Sequence, residues 1–190
     1  MSIVPTFETE RLFLRAPEER DIAAWQRHFA HWDVVRYLNP GLPWPYPEDG
    51  AAEFYQGHVK QVQGKSAYFW GLFLKENPEE LVGIVELRME TKLEHRGFWL
   101  AKHLWGQGLM SEALIPVNDF AFDTLGMDHL ILVNMIQNKS SSHIKTKQGA
   151  RLLRVQEAKS VDPEVTHEEV WELRAQDWRA YRQKTGLTHG

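Results

Sequence analysis

Cysteine is absent from all 190 residues, which excludes disulfides, thiolate metal sites and a covalent cysteinyl intermediate. A group-transfer reaction on this chain would be direct or would use another nucleophile. A basic excess is also missing. The 22 Lys and Arg against 26 Asp and Glu give a formal charge of −4, too little to replace the counterions of a nucleic acid, so direct nucleic-acid binding is not expected. The balance does suit basic or amine-bearing partners. No run of about 20 apolar residues occurs, and the opening MSIVPTFETERLF lacks the basic start and apolar core of a secretory signal. No membrane association is expected, and a cytoplasmic location is. The histidines form no HxH or HxxxH pair, so no metal site is expected. What is present is ordinary for a globular chain, 43% hydrophobic and 25% charged. It suits a single domain over 1–190 with a sizeable core, acting as a monomer or homodimer.

Leu12 and Leu14 alternate with Arg11 and Arg15, which predicts a strand over 10–17. Pro17, Glu18 and Glu19 precede apolar Ile22, Trp25 and Phe29, the pattern of one or two helices. Four prolines in 39–47 exclude a regular helix or central strand there. Trp44 and Tyr46 in that loop either pack onto the domain or face a substrate as part of a lid. A helix is expected over 47–65, then a hairpin of strands 67–75 and 81–90 joined by 76–80, and a strand over 94–101. Beyond these, 129–137 reads as a strand, 140–149 as a short helix ended by Gly149, and 151–160 and 167–174 as the last strands. Trp178 and Tyr181 fall in a terminal segment.

The stretch 97–125 organises the rest. Gly97 to Ala101 is an apolar run suited to a strand covered on both faces. Gly106 and Gly108 flank Gln107 and allow a sharp turn with close ligand approach. From Leu109, apolar Met110, Ala113, Leu114, Val117, Phe120, Ala121 and Leu125 recur at helical spacing until Gly126 stops the pattern. Pro116 should kink that helix. A helix opening on a glycine loop presents free N–H groups at the positive end of its dipole, a place for a phosphate or pyrophosphate. A plain strand-to-helix turn would look the same from these glycines alone.

The run His103-Leu104-Trp105-Gly106-Gln107-Gly108 resembles the acyl-CoA-binding motif of the GNAT superfamily of N-acyltransferases, Gln/Arg-x-x-Gly-x-Gly/Ala, with His103 in the first position. Ser111-Glu112-Ala113-Leu114 after it, and Thr9-Glu10-Arg11-Leu12 near the start, resemble the Rim-type branch. A second stretch, Asn138 to Ala150, resembles the family's Asn-x-x-Ser-x-x-(aliphatic)-x-x-Lys-x-Gly-Phe. Asn138, Ser141, Ile144, Lys147 and Gly149 match, while Gln148 and Ala150 depart from it.

The resemblance implies an α/β fold with a mostly antiparallel sheet of about seven strands flanked by helices. It also implies acetyl-CoA as cosubstrate, bound by Leu100, His103, Leu104, Trp105, Gly106, Gln107, Gly108, Leu109, Met110, Asn138 and Ser141. Asn138 would hydrogen-bond the pantetheine or its neighbouring backbone, and Ser141 would lie near the thioester sulfur. A hydroxyl there could protonate the departing thiolate, although Ser140 or Ser141 could instead simply cap the helix. Glu86, Glu94 and His95 are the candidates for a base. The implied acceptor is an amine-bearing protein N-terminus, a peptide or a small molecule, with Trp44 and Tyr46 on the acceptor side. Deprotonating a lysine at pH 7 costs roughly 4.6 kcal/mol and an α-amine about 1.2, so a site without an evident strong base favours the α-amine. A non-catalytic acyl-CoA sensor is the competing expectation. An ATP or NAD site is disfavoured, since neither GxxxxGK[ST] nor GxGxxG occurs at the loop.

Overall fold

The computed structural model describes residues 4–89 and 93–186. Strands β1 (Phe7–Glu8) and β2 (Leu12–Arg15) lead into a 3-10 turn and helices α1 (Ile22–Phe29) and α2 (Trp32–Val35). After the proline-rich loop, α3 (Gly50–Phe54), a π turn (Tyr55–Val59) and α4 (Lys60–Val62) make one irregular helical segment where a plain helix is expected. Strands β3 (Ala67–Leu74), β4 (Asn77–Arg88) and β5 (Arg96–Leu100) follow, then a 3-10 turn (Lys102–Leu104) and α5 (Leu109–Asp119), which widens into a π turn (Phe120–Thr124). The chain closes with β6 (His129–Met135), α6 (Lys139–Lys147), β7 (Arg151–Glu157), β8 (His167–Arg174) and α7 (Ala175–Thr185).

Among the described residues, eight strands divide into an antiparallel sheet β1-β2-β3-β4-β5 and a three-stranded antiparallel sheet β6-β8-β7. The mixed α/β class with a mostly antiparallel framework is as expected. The division comes from one joint. The His95 N–H donates to Ile131 O at 2.7 Å, and the Ile131 N–H donates not to a backbone carbonyl but to His95 Nδ1 at 2.8 Å.

Alternation along β3 assembles two apolar layers. Tyr68, Trp70 and Leu72 pack with Leu109, Ala113, Leu114 and Val117 of α5, whereas Phe69 and Phe73 pack with Trp25 and Phe29 of α1. Burial on both faces explains the continuous apolar run of β3.

Several boundaries differ from the sequence pattern. β4 starts at Asn77 rather than 81, because the register jumps from Leu74↔Asn77 to Phe73↔Leu81 and leaves 78–80 outside the regular ladder. The expected last residue of that strand, Glu90, lies outside the described residues. Pro116 sits within α5, and the widened turn follows it. The terminal segment is helix α7, whose Trp178 is fully buried and donates to Asp119 Oδ1 at 2.8 Å. Arg182, one turn further on, pairs with Asp119 Oδ2 at 3.0 Å. Trp178→Ala should therefore cost about 3–5 kcal/mol of stability, since it opens a cavity and strands part of the Asp119 carboxylate. Denaturant unfolding followed by circular dichroism checks this; a loss below about 1 kcal/mol would show that α7 docks elsewhere.

Candidate active site

β5 and β6 leave the His95–Ile131 joint in the same chain direction and then separate. Leu100 near the end of β5 and Gln137 and Asn138 just past β6 line one cavity of about 710 Å³. On its other side β5 is hydrogen-bonded to β4 from Gly83↔Leu100 to Leu87↔Arg96. Burial, reinforced by the neighbouring His129, holds the His95 imidazole below its usual pKa. The neutral ring suits a joint that needs an accepting Nδ1. His95, a candidate base in the sequence, lines neither this cavity nor the second one described below.

The glycine loop closes the far end. Gly106 and Gly108 have φ of +75° and +78°, a region open to glycine without strain. A Cβ at Gly106 would meet nothing within 4 Å, so that backbone is open to a ligand. Gly108 is the N-cap residue of α5, and the N–H groups of the first helical turn are without intrahelical partners. The loop is tied to the first strands. Glu112 in the first turn of α5 accepts from Thr9 Oγ1 (2.6 Å), the Arg11 N–H (2.7 Å) and Arg11 Nε (2.8 Å), while Arg11 Nη1 donates to Gln107 O at 3.0 Å. Burial pushes the Glu112 carboxyl up, but these donors outweigh it and hold it below the usual carboxylate range. Leu100, Leu104, Trp105, Gly106, Gly108, Leu109 and Met110 line the cavity; His103 and Gln107 do not. His103 turns to the His28 ring, 5.4 Å away, and Gln107 contributes its carbonyl to the Arg11 tie.

The start of α6 forms the opposite wall. Asn138 is the N-cap, accepting from the Ser141 N–H at 3.2 Å, so the cap is neither Ser140 nor Ser141, the alternative left open in the sequence. The Asn138 side-chain oxygen is thereby occupied. The Ser141 hydroxyl is free of capping, lines the cavity, and accepts from Lys145 Nζ at 2.6 Å.

A second cavity of about 630 Å³ meets the first at Leu38, Phe98 and Trp99. The proline-rich loop contributes Asn39, Leu42, Pro43 and Tyr46 to it. Tyr46 packs edge-on against Phe29, and burial raises its phenol to about 12. Trp44 packs at a tilt against Trp32 instead, is 42% exposed and lines neither cavity. Of the three candidate bases, Glu86 alone lines this cavity. Its carboxylate is held by Arg88 Nε (2.8 Å) and Nη2 (2.5 Å), and Arg88 Nη1 reaches Glu94 Oε2 at 3.0 Å. Burial opposes the Arg88 charge, but the two carboxylates more than restore it. Burial likewise raises the Glu94 carboxyl against the pull of Arg88, though 32% of that side chain is accessible. His58 lines the cavity too, a residue that no motif singled out.

Residues 11–151 match the family model described as the acetyltransferase (GNAT) domain. A Bacillus subtilis (strain 168) protein named an uncharacterized N-acetyltransferase, YoaA, is 26% identical over 148 residues, covering 76% of this chain and 82% of that protein. Mycobacterium smegmatis RimJ in complex with CoA-disulfide superposes with a TM-score of 0.79 at 16% identity, covering 95% of this chain and 94% of that one. Spermidine N-acetyltransferase from Vibrio cholerae, in complex with CoA and spermine, gives 0.72 at 16% identity over 88% and 98%. The two structural likenesses speak for the fold.

The open glycine loop generates a binding prediction. CoA should raise the melting temperature of the parent protein while ATP and NAD should not, and Gly108→Val should abolish the CoA shift, since a β-branched residue is strained at φ +78°. A folded variant that CoA still protects would show that the loop is not the anion site.

Proposed function

The chain belongs to the acetyltransferase (GNAT) family and is an N-acetyltransferase; from that premise we propose that it moves the acetyl group of acetyl-CoA directly to a primary amine, the N-terminal α-amine of a protein or peptide. One observation carries the reading. The cavity lined by Glu86 and the cavity lined by Ser141 share Leu38, Phe98 and Trp99, which supports a carboxylate base on one side of the junction and a hydroxyl acid on the other.

The splayed-strand cavity fits an acyl-CoA. Its glycine loop offers open backbone N–H groups for the pyrophosphate, and the apolar walls suit the pantetheine arm. That RimJ is solved in complex with CoA-disulfide and the spermidine enzyme in complex with CoA supports CoA as the group bound. Acetyl-CoA supplies the activated acyl group, and the chain's own residues do the rest. Glu86 takes a proton from the acceptor amine, directly or through one water, and Arg88 fixes the orientation of its carboxylate. Ser141 Oγ donates a proton to the departing sulfur. Tyr46 and Trp99 enclose the acceptor and thin the water around it. Trp44, packed on Trp32, lies outside this assignment.

Two considerations support the α-amine. It is roughly 3.4 kcal/mol cheaper to deprotonate at pH 7 than a lysine, which suits a site whose base is a carboxylate. The acceptor cavity is also mainly aromatic and apolar, with Glu53 and Glu86 as its carboxylates. A polyamine with several charges would find few partners there.

Ser141→Ala should lower kcat by one to three orders of magnitude with little change in CoA affinity, in line with a general-acid contribution of about 10²–10⁴. Ser140→Ala is the control. The acceptor is tested by kcat/KM for a lysine-free peptide with a free N-terminus against the same peptide N-blocked and carrying one lysine. Preference for the first is expected. Preference for the blocked peptide, or activity confined to spermidine, would overturn the acceptor while leaving the acetyl transfer intact.

A further inference from the structure

Four residues along α6 from Ser141, the side chain of Lys145 turns into the interior, with 2% of the residue accessible. Besides its bond to Ser141 Oγ at 2.6 Å, its Nζ lies 5.9 Å from the centre of the ring of Phe98, one of the residues shared by both cavities. The spacing of i and i+4 stacks the two side chains on one helix face. A buried lysine is a poor stabilising device, because an apolar side chain of similar length would be as stable or more so. Stability therefore does not account for it. Its contact does, since the partner is the hydroxyl assigned to the departing sulfur.

We propose that Lys145 is the proton source behind Ser141, a positioning residue that aims the serine hydroxyl into the cofactor cavity and replaces the proton it gives up. This rests on the reading of Ser141 as the acid. In the transfer the bond from the amine nitrogen to the acetyl carbonyl carbon forms, and the bond from that carbon to sulfur breaks with its electron pair on sulfur. The amine proton goes to Glu86, the Ser141 hydroxyl proton to sulfur, and an ammonium proton of Lys145 to Ser141 Oγ. Lys145 is left neutral and retakes a proton from water, while Glu86 returns its proton to water.

The charged groups facing Lys145 are Arg96 of β5, Glu94 just before it, and Glu169 of β8. β6 and α5 bring the uncharged amides of Asn134 and Asn118 to the same buried region. Arg96 is fixed by Asn118 Oδ1 at 2.6 Å and Gln148 Oε1 at 3.3 Å, and burial lowers it to about 9, still charged at neutral pH. Burial pulls Lys145 down to about 7, helped by Arg96 and opposed by Glu94 and Glu169. Glu169 keeps its charge, because donors from Ser142, Asn134 and Trp171 outweigh the push of burial. The ammonium is thus present below about pH 7 and lost above it, so near that pH the proton can be given up and recovered within a turnover.

The test is a double-mutant cycle of Lys145→Met and Ser141→Ala, with kcat followed over pH 5.5–9. The ratio of parent to Lys145→Met kcat should be about 10–100 at pH 6 and fall as pH rises through about 7; taking a ratio cancels the titration of the acceptor amine. In the Ser141→Ala background the same substitution should change kcat by less than about twofold. A readout without turnover accompanies it. Lys145→Met should be at least as stable as the parent at pH 6, and the parent should gain on it as pH rises from about 7 toward 10.5, where the unfolded lysine still holds the proton that the native one has lost.

A flat ratio near one, with Ser141→Ala still slow, overturns the role of Lys145 and leaves the acid assignment standing. An equal loss in both backgrounds overturns it as well, since the lysine then acts through packing. If Ser141→Ala is as fast as the parent, the acid reading fails, and this proposal with it. Should Lys145→Met not fold, the ratio of parent to Ser141→Ala kcat serves instead: it should fall above about pH 7, and a flat profile overturns the proposal.

Discussion

The His95 backbone N–H and imidazole Nδ1 satisfy both backbone groups of Ile131, at 2.7 and 2.8 Å. Substituting a side-chain acceptor for a backbone carbonyl joins the two sheets without continuing a ladder. Past that joint β5 is paired with β4 on one edge, and its other edge faces the gap toward β6. A strand edge without a neighbouring strand carries N–H and C=O groups that must find other partners, as the Leu100 carbonyl does in the Trp105 indole N–H at 2.7 Å. An amide-bearing arm such as pantetheine is chemically suited to meet them. The neutrality that burial imposes on His95 is part of the same design, because a protonated ring could not accept from Ile131.

The gap ends in two helix N-termini with different duties. α5 begins at a left-handed glycine and offers backbone donors to an anion, with the Glu112–Arg11 tie bracing the loop from behind. α6 begins at the Asn138 cap and offers a hydroxyl, because the cap is supplied three residues earlier and leaves Ser141 free. Phe98 on β5 stands between this end and the Glu86–Arg88–Glu94 group on the acceptor side. One short strand therefore runs between the Ser141 end and Glu86, and its residue opposite Glu86 is Gly97, where a Cβ would make ordinary contact with Arg88 Nη2 at 3.4 Å and Glu86 Oε2 at 3.5 Å.

Local features were legible in the sequence and distant pairings were not. The Gly106–Gly108 turn, the apolar period of α5 and the hairpin that pairs β3 with β4 follow from spacing within a dozen residues, and the structure places them accordingly. His103 and Gln107 occupy motif positions, yet their side chains turn away, because a motif fixes the backbone path rather than the direction of each side chain. The tie between Arg11 and Glu112 spans 101 positions and left no mark except a charged residue at each end. Lys145 reads as one more polar residue on a short helix of low apolar content, and only the packing of α6 against β6 and β8 turns it inward. Trp178 was visible as an aromatic without a partner; the partner, Asp119, sits 59 positions earlier.

A crystal structure with an unreactive thioether analogue of acetyl-CoA would locate the cofactor. The analogue should lie between β5 and β6, with its pyrophosphate on the N–H groups around Gly106–Gly108, its sulfur within about 3.5–4 Å of Ser141 Oγ, and its acyl end at Phe98 facing Glu86. An analogue bound outside the gap, or one whose sulfur lies far from Ser141 while the pyrophosphate keeps its place, would contradict this placement.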